Sequence, residues 1–80
     1  MEKQELAKKV IAFCTKYEIF SNAKNMKVDK IAKHLNESWF VEFLIRSIMN
    51  AKYKKGMDFS ELSEIIVELE KLRFDMVYYV

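Results

Sequence analysis

The sequence contains no proline and only one glycine, Gly56. Tight hairpins, the turns between strands and helices, and phosphate-binding loops usually require these residues, because they supply a positive φ or a fixed φ. A glycine-rich nucleotide-binding loop is therefore excluded. The two scarcities favour a chain of helices that are joined by short polar turns.

Cysteine and histidine are equally scarce, with Cys14 and His34 as the single examples. One cysteine excludes an intrachain disulfide, and these two side chains cannot supply the four ligands of a structural zinc site. A catalytic pair of Cys14 and His34 is disfavoured. Cys14 falls on the apolar stripe of a predicted helix, where cysteine usually packs as a small buried hydrophobe. We therefore expect no enzyme activity, no cofactor and no metal site.

Long apolar runs are also missing, since none approaches the roughly 20 residues that a membrane-spanning helix needs. The charged segment from Met1 to Glu5 lacks the apolar stretch of a secretion signal. A single thiol without a disulfide framework is typical of a reducing compartment. The sequence thus predicts a soluble cytoplasmic protein that has no membrane partner.

The chain has 80 residues, of which 51% are apolar, and it fits a single domain over residues 1–80. A domain of this size buries only about 60% of the surface that its unfolded chain exposes. Small domains without a disulfide or a metal often gain the missing burial by oligomerisation. We therefore expect a homodimer.

The 3.6-residue spacing of apolar side chains predicts four helices. They cover Lys3 to Tyr17, Lys27 to Leu35, Trp39 to Lys54, and a stretch that begins with the capping-box pattern Asp58-Phe59-Ser60-Glu61 and runs toward Tyr78. The expected fold is all-α, a compact bundle of about four helices, one of them short. Residues 74–80 also alternate like a strand, so an extended conformation stays open for them.

The predicted third helix is apolar around most of its circumference. Only Glu42, Arg46 and Asn50 form a polar stripe on it. A helix of this kind is typical of the centre of a fold, so we expect it to be the most buried of the four. Glu42 and Arg46 are four residues apart and predict an ion pair along the helix.

The fourth helix carries apolar residues at alternating spacings of three and four. They are Leu62, Ile65, Leu69, Leu72, Met76 and Tyr79. This spacing matches the a and d positions of a coiled coil, although it lasts only about two and a half heptads. The stripe packs either on the chain's own central helix or on a second chain, and the sequence leaves both open.

Charge is divided unevenly along the chain. Residues 1–55 carry twelve basic and six acidic side chains, whereas residues 56–80 carry two basic and six acidic ones. Such a division of charge either attracts a charged partner to the molecule or lets basic and acidic helices of the same chain pair with each other.

The leading functional expectation is a small protein-binding regulator or inhibitor that covers a basic site on another protein with its acidic fourth helix. The expected contact residues are Glu61, Glu64, Glu68, Arg73, Tyr78 and Tyr79. Tyrosine is favoured at interfaces because it joins a large apolar body to a polar tip. The abundance of Lys, Ile, Asn, Phe and Tyr is typical of AT-rich genomes, whose phages and mobile elements encode many such small proteins.

The alternative is a DNA-binding regulator with a helix-turn-helix formed by the second and third helices. Its contact residues are Lys27, Lys30, Lys33, Arg46 and Asn50. Clustered lysines suit phosphates, and arginine and asparagine suit base edges. The match to the motif is poor, because Asn36-Glu37 occupy the turn where a glycine and an apolar residue are usual.

Overall fold

The computed structural model of the chain describes residues 2–78. Its helices are α1 (Lys3–Lys16), α2 (Val28–His34), α3 (Ser38–Asn50) and α4 (Phe59–Tyr78), with single turns of 3₁₀ helix at Ala23–Asn25 and Ala51–Tyr53. No strand occurs among these described residues. The predicted all-α bundle of four helices, one of them short, is confirmed.

The segment after α3 shows why the single glycine stands where it does. Gly56 has a φ of +79°, a conformation that residues with a Cβ atom rarely adopt. Asp58 then caps α4, since its Oδ1 accepts hydrogen bonds from the backbone N–H groups of Ser60 at 2.9 Å and Glu61 at 3.3 Å. Only half of the predicted capping box forms, because the Glu61 side chain turns to α1 instead.

The core lies where the four helices meet. α1 packs mainly on α2, α3 packs mainly on α4, and α1 also crosses α4. The largest side chains that are fully enclosed come from every part of the bundle: Val10, Cys14, Leu35, Val41, Ile48 and Leu69. The bundle therefore has one continuous apolar interior.

The prediction that α3 is the most buried of the four helices is wrong, because α1 has five buried residues and α3 has three. Its buried residues are Val41, Leu44 and Ile48, which occupy one face. Trp39 and Phe43 are 61% and 47% exposed on the opposite face. In a bundle of four helices, each helix has at most three neighbours, so none of them is covered all round.

The heptad stripe of α4 is used within the chain. Leu62, Ile65 and Leu69 are buried in the common core. Leu72 and Met76 are partly buried and pack against the same cluster. Tyr79, the last member of the predicted stripe, lies outside the described residues.

The extended alternative for residues 74–80 is overturned where the structure describes them. Residues 74–78 continue α4 without a break. Leu69, Leu72 and Met76 are three and then four residues apart, and a helix brings all three to the core, whereas a strand would place Leu69 and Leu72 on opposite faces. Residues 79 and 80 lie outside the described part of the chain. Over residues 2–78, every helix is too short or too polar to cross a membrane.

Candidate functional site

Cys14, the one nucleophile that the sequence singled out, lies in the core. Its side chain is fully buried as a free thiol, and burial raises its pKa to about 11. A thiol with this pKa stays protonated at neutral pH and is a poor nucleophile. His34 lies at the surface instead, where its Nδ1 is 3.4 Å from a carboxylate oxygen of Glu37. Within residues 2–78, no three acidic, histidine or cysteine side chains come together as a metal site.

The first two glutamates of the expected partner surface are bound to α1. Glu61 accepts a hydrogen bond from the Lys16 ammonium at 2.6 Å, and Glu64 accepts one from Lys9 at 2.7 Å. These hydrogen bonds raise the pKa of both lysines. Two of the acidic residues of α4 are therefore neutralised by lysines of α1, so part of the charge division is compensated within the molecule.

The remaining charged residues of that surface lie further along α4. Glu68 is half-buried, with one carboxylate oxygen 3.7 Å from the Lys71 ammonium. Arg73 donates a hydrogen bond to Glu70 at 2.9 Å, and another of its nitrogens is 3.9 Å from a Glu42 oxygen on α3. The bond to Glu70 is the main reason that the pKa of Arg73 is raised. Arg73 thus joins α4 to α3, and Glu42 pairs with it rather than with Arg46 as predicted.

From Val67 onward, α4 has an apolar side that faces away from the core. We call Val67, Phe74, Val77 and Tyr78 the outer face of α4; their exposed fractions are 49%, 52%, 61% and 68%. The rings of Phe74 and Tyr78 are 4.4 Å apart and form one continuous apolar surface. Lys71 and Asp75 lie along one edge of it. Of the two tyrosines in the expected surface, Tyr78 belongs to this face and Tyr79 lies outside the described residues.

The residues of the expected DNA surface are exposed on α2 and α3. These two helices are separated by three residues, a length typical of helix-turn-helix connections. Lys27, Lys30 and Lys33 all face solvent, as do Arg46 and Asn50 on the outward side of α3. None of these four cations takes part in an ion pair with another of the described residues.

A cluster of rings adjoins these cations. We call Phe20, His34, Trp39, Phe40 and Phe43 the aromatic face. Its contacts run in series, with ring centres 6.4 Å apart for His34 and Trp39, 5.6 Å for Trp39 and Phe40, and 6.5 Å for Phe40 and Phe43. Phe43 also stacks on Phe20 at 5.6 Å. The helices therefore bring together rings that lie up to 23 positions apart in the sequence.

Sequence reasoning identified Arg46 and Asn50 but did not place Trp39 and Phe43 on the same surface. Trp39, Phe43, Arg46 and Asn50 follow one another at spacings of four, three and four, which places them on a single helix face. That regular spacing was available in the sequence. The spacing did not show which side of α3 faces solvent, because the opposite face of the helix is equally apolar.

Comparison of the chain with protein-family models, with curated proteins and with solved structures finds no match. Its function is therefore inferred from its own surfaces alone.

Proposed function

We propose that the chain is a small cytoplasmic regulator or inhibitor that acts by docking on a partner protein through the outer face of α4. The observation that carries this proposal is the exposure of Val77 and Tyr78 beside Phe74 on one side of one helix. Large apolar groups that cluster at the surface of a small protein mark interaction sites, since water is a poor solvent for them.

The rim of the outer face supports the same proposal. Lys71 and Asp75 border the apolar residues on one side, and the Glu70–Arg73 pair borders them on the other. Protein interfaces typically combine an apolar centre with a polar rim of this kind. In this proposal Arg73 and Tyr78 remain contact residues, whereas Glu61 and Glu64 stay with the lysines of α1.

A second copy of the chain fits the outer face as well, and we propose a homodimer of two antiparallel α4 helices. In such a pair, the same edges of the two helices meet. Lys71 and Asp75 share one edge of α4. When the two-fold axis of the dimer passes between these two positions, Lys71 of each copy faces Asp75 of the other. Four side chains bury less than the roughly 800 Å² per partner of a standard interface, so we expect a weak dimer that other partners displace.

Sedimentation equilibrium over a range of concentrations tests the homodimer. The unchanged chain is expected to gain mass with concentration, and Lys71→Glu is expected to weaken this gain because it places two acids opposite each other. The combined Lys71→Glu and Asp75→Lys variant restores the pairing with its signs exchanged and is expected to dimerise again. A strict monomer at high micromolar concentration, or a combined variant no better than the single one, contradicts the homodimer.

Docking on a different protein has its own test, which does not depend on dimerisation. A photo-crosslinking amino acid is placed at Val77 and, as a control, at Tyr53, which is exposed on the turn after α3. In the cells that encode the chain, Val77 is expected to give a discrete adduct with another protein and Tyr53 is not. A second change, Tyr78→Asp, is expected to abolish that adduct. Adducts of equal yield from both positions contradict the docking proposal.

A further inference from the structure

The aromatic face is bordered by cations on two sides. Arg46 lies one helical turn beyond Phe43, and Lys54 lines a shallow groove together with Phe20 and Asn50. On α2, Lys30 lies one turn before His34, and Lys27 is the N-cap residue just before the helix. The ammonium of Lys54 donates to the backbone carbonyl of Glu18, which leaves its positive charge uncompensated.

These cations differ from the lysines of α1. Lys9 and Lys16 are matched by glutamates of α4, so they contribute little positive potential to the surface. Within residues 2–78, Lys27, Lys30, Arg46 and Lys54 form no ion pair. Four uncompensated positive charges therefore lie on the helices that carry the aromatic face or next to them, and they favour an anionic ligand.

We propose that the aromatic face binds single-stranded nucleic acid. Trp39 and Phe43 stack on unpaired bases, and Lys27, Lys30, Arg46 and Lys54 contact the phosphates. Exposed rings next to unpaired cations are the combination that single strands require, because every base has an aromatic face and every linkage carries a charge. The site shares no residue with the outer face of α4, and the inference does not rest on the docking proposal.

The exposed side of α3 suits unpaired bases better than a duplex. A helix in the major groove reads the edges of base pairs through hydrogen-bonding side chains, and the first residues on this side are Trp39 and Phe43. The faces of bases in a duplex are covered by their neighbours. Four residues of helix separate the two rings by about 6 Å along the axis. This separation exceeds the ~3.4 Å spacing of stacked bases, so the two rings suit bases that are not stacked on each other.

Trp39 reports on its own binding, because it is the only tryptophan in the chain. Titration with an oligothymidylate of about 15 nucleotides, at about 50 mM salt, is expected to quench its fluorescence to a plateau. The binding constant is expected to fall as salt rises. The slope on logarithmic axes is about −3 if four phosphates are contacted.

Matched variants separate stacking and phosphate contact from general adhesion. Phe43→Ala is expected to weaken binding about 5- to 150-fold, the range for loss of one stacked base. Phe59→Ala removes a ring at the start of α4 that is even more exposed than Phe43 (62% against 47%), and it is expected to leave binding unchanged. Arg46→Ala is expected to reduce the steepness of the salt slope by about 0.7, and Lys8→Ala, on α1, is expected to leave it unchanged. Circular dichroism of each variant checks that it is folded.

Three results would overturn the proposal. The first is an absence of quenching at protein concentrations up to about 100 µM, the weak end of non-specific binding. The second is binding of a duplex of the same length as tightly as the single strand, which would assign this surface to duplex DNA. The third is an equal loss of affinity in Phe43→Ala and Phe59→Ala. Oligouridylate in place of oligothymidylate distinguishes RNA from DNA as the preferred strand, and either preference supports the proposal.

Discussion

The first half of α4 and its second half carry the same apolar stripe in different surroundings. In the first half, which we end at Leu69, the apolar residues Leu62, Ile65 and Leu69 are all buried. Beyond Leu69, no residue up to Tyr78 is buried, and the apolar residues Phe74, Val77 and Tyr78 are each more than half exposed.

The difference follows from where α1 runs. Lys16 and Lys9 of α1 reach Glu61 and Glu64, so α1 covers the beginning of α4. The contact of Arg73 with Glu42 shows that the second half lies against α3. A periodic stripe on a helix is buried only as far as its neighbours extend, and the part left over is available for a partner.

The largest expected contrast between the two halves is in the free energy of unfolding. Leu69→Ala empties a fully buried site and is expected to lower it by about 3 kcal/mol, within the usual range for leucine in a core. Val77→Ala in the second half is expected to change it by less than about 0.5 kcal/mol. Urea denaturation followed by circular dichroism measures both. Equal losses would show that the second half is as firmly packed as the first.

The pH dependence of the free energy of unfolding tests whether the Cys14 thiol is buried in the core. Burial raises the pKa of the Cys14 thiol from 9.0 to about 11, so the unfolded chain loses its thiol proton first as pH rises. The thiol is therefore expected to leave the free energy of unfolding unchanged well below pH 9 and to lower it by about 3 kcal/mol as pH rises from 9 to above 11.

Cys14→Ala separates this effect from the lysines, whose raised pKa values act in the same direction at slightly higher pH. The variant is expected to lose clearly less stability than the unchanged chain between pH 9 and 11. Parallel losses in the two proteins would show that the thiol is exposed to water in solution.

A smaller contrast concerns the two aspartates of the α4 region. Asp58→Ala removes the cap at the start of the helix and is expected to lower the free energy of unfolding by about 1 kcal/mol. Asp75→Ala, in the exposed second half, is expected to have less than half of this effect. Thermal unfolding at low micromolar concentration, where the proposed dimer is absent, compares the two.

The smallest effect is expected for the ion pair between α1 and α4. Lys16→Glu places two acids together and is expected to lower the melting temperature by less than Asp58→Ala does, because exposed ion pairs contribute little. Adding Glu61→Lys is expected to restore the melting temperature. If the double variant is no better than the single one, then the pair does not hold α1 on α4.

The sequence predicted the helices well because the signals for them are local. Gly56 and Asp58 mark the turn before α4 and its first residue through their own backbone and hydrogen-bonding preferences. The spacing of Leu62, Ile65 and Leu69 defines the buried side of that helix without reference to any neighbour. Cys14 was correctly placed in the core for the same reason.

The candidate surfaces were harder to predict because they depend on which helices are neighbours. Glu42 was expected to pair with Arg46 on its own helix, but packing brings Arg73 of α4 within reach instead. The glutamates Glu61 and Glu64 were expected to face a partner, and their position opposite α1 is a property of the crossing of two helices. An ion pair between helices cannot be read from spacing within either one.

The sequence by itself determined the number of helices, their approximate ends and the absence of a disulfide framework, since each of these follows from residue type and local spacing. Only the tertiary structure decided which apolar side chains remain outside the core, at the surface. α3 and α4 each have apolar residues on two faces, and a face becomes core only when another helix covers it. The assignment of Trp39 and Tyr78 to the surface was therefore made by the packing of the whole bundle.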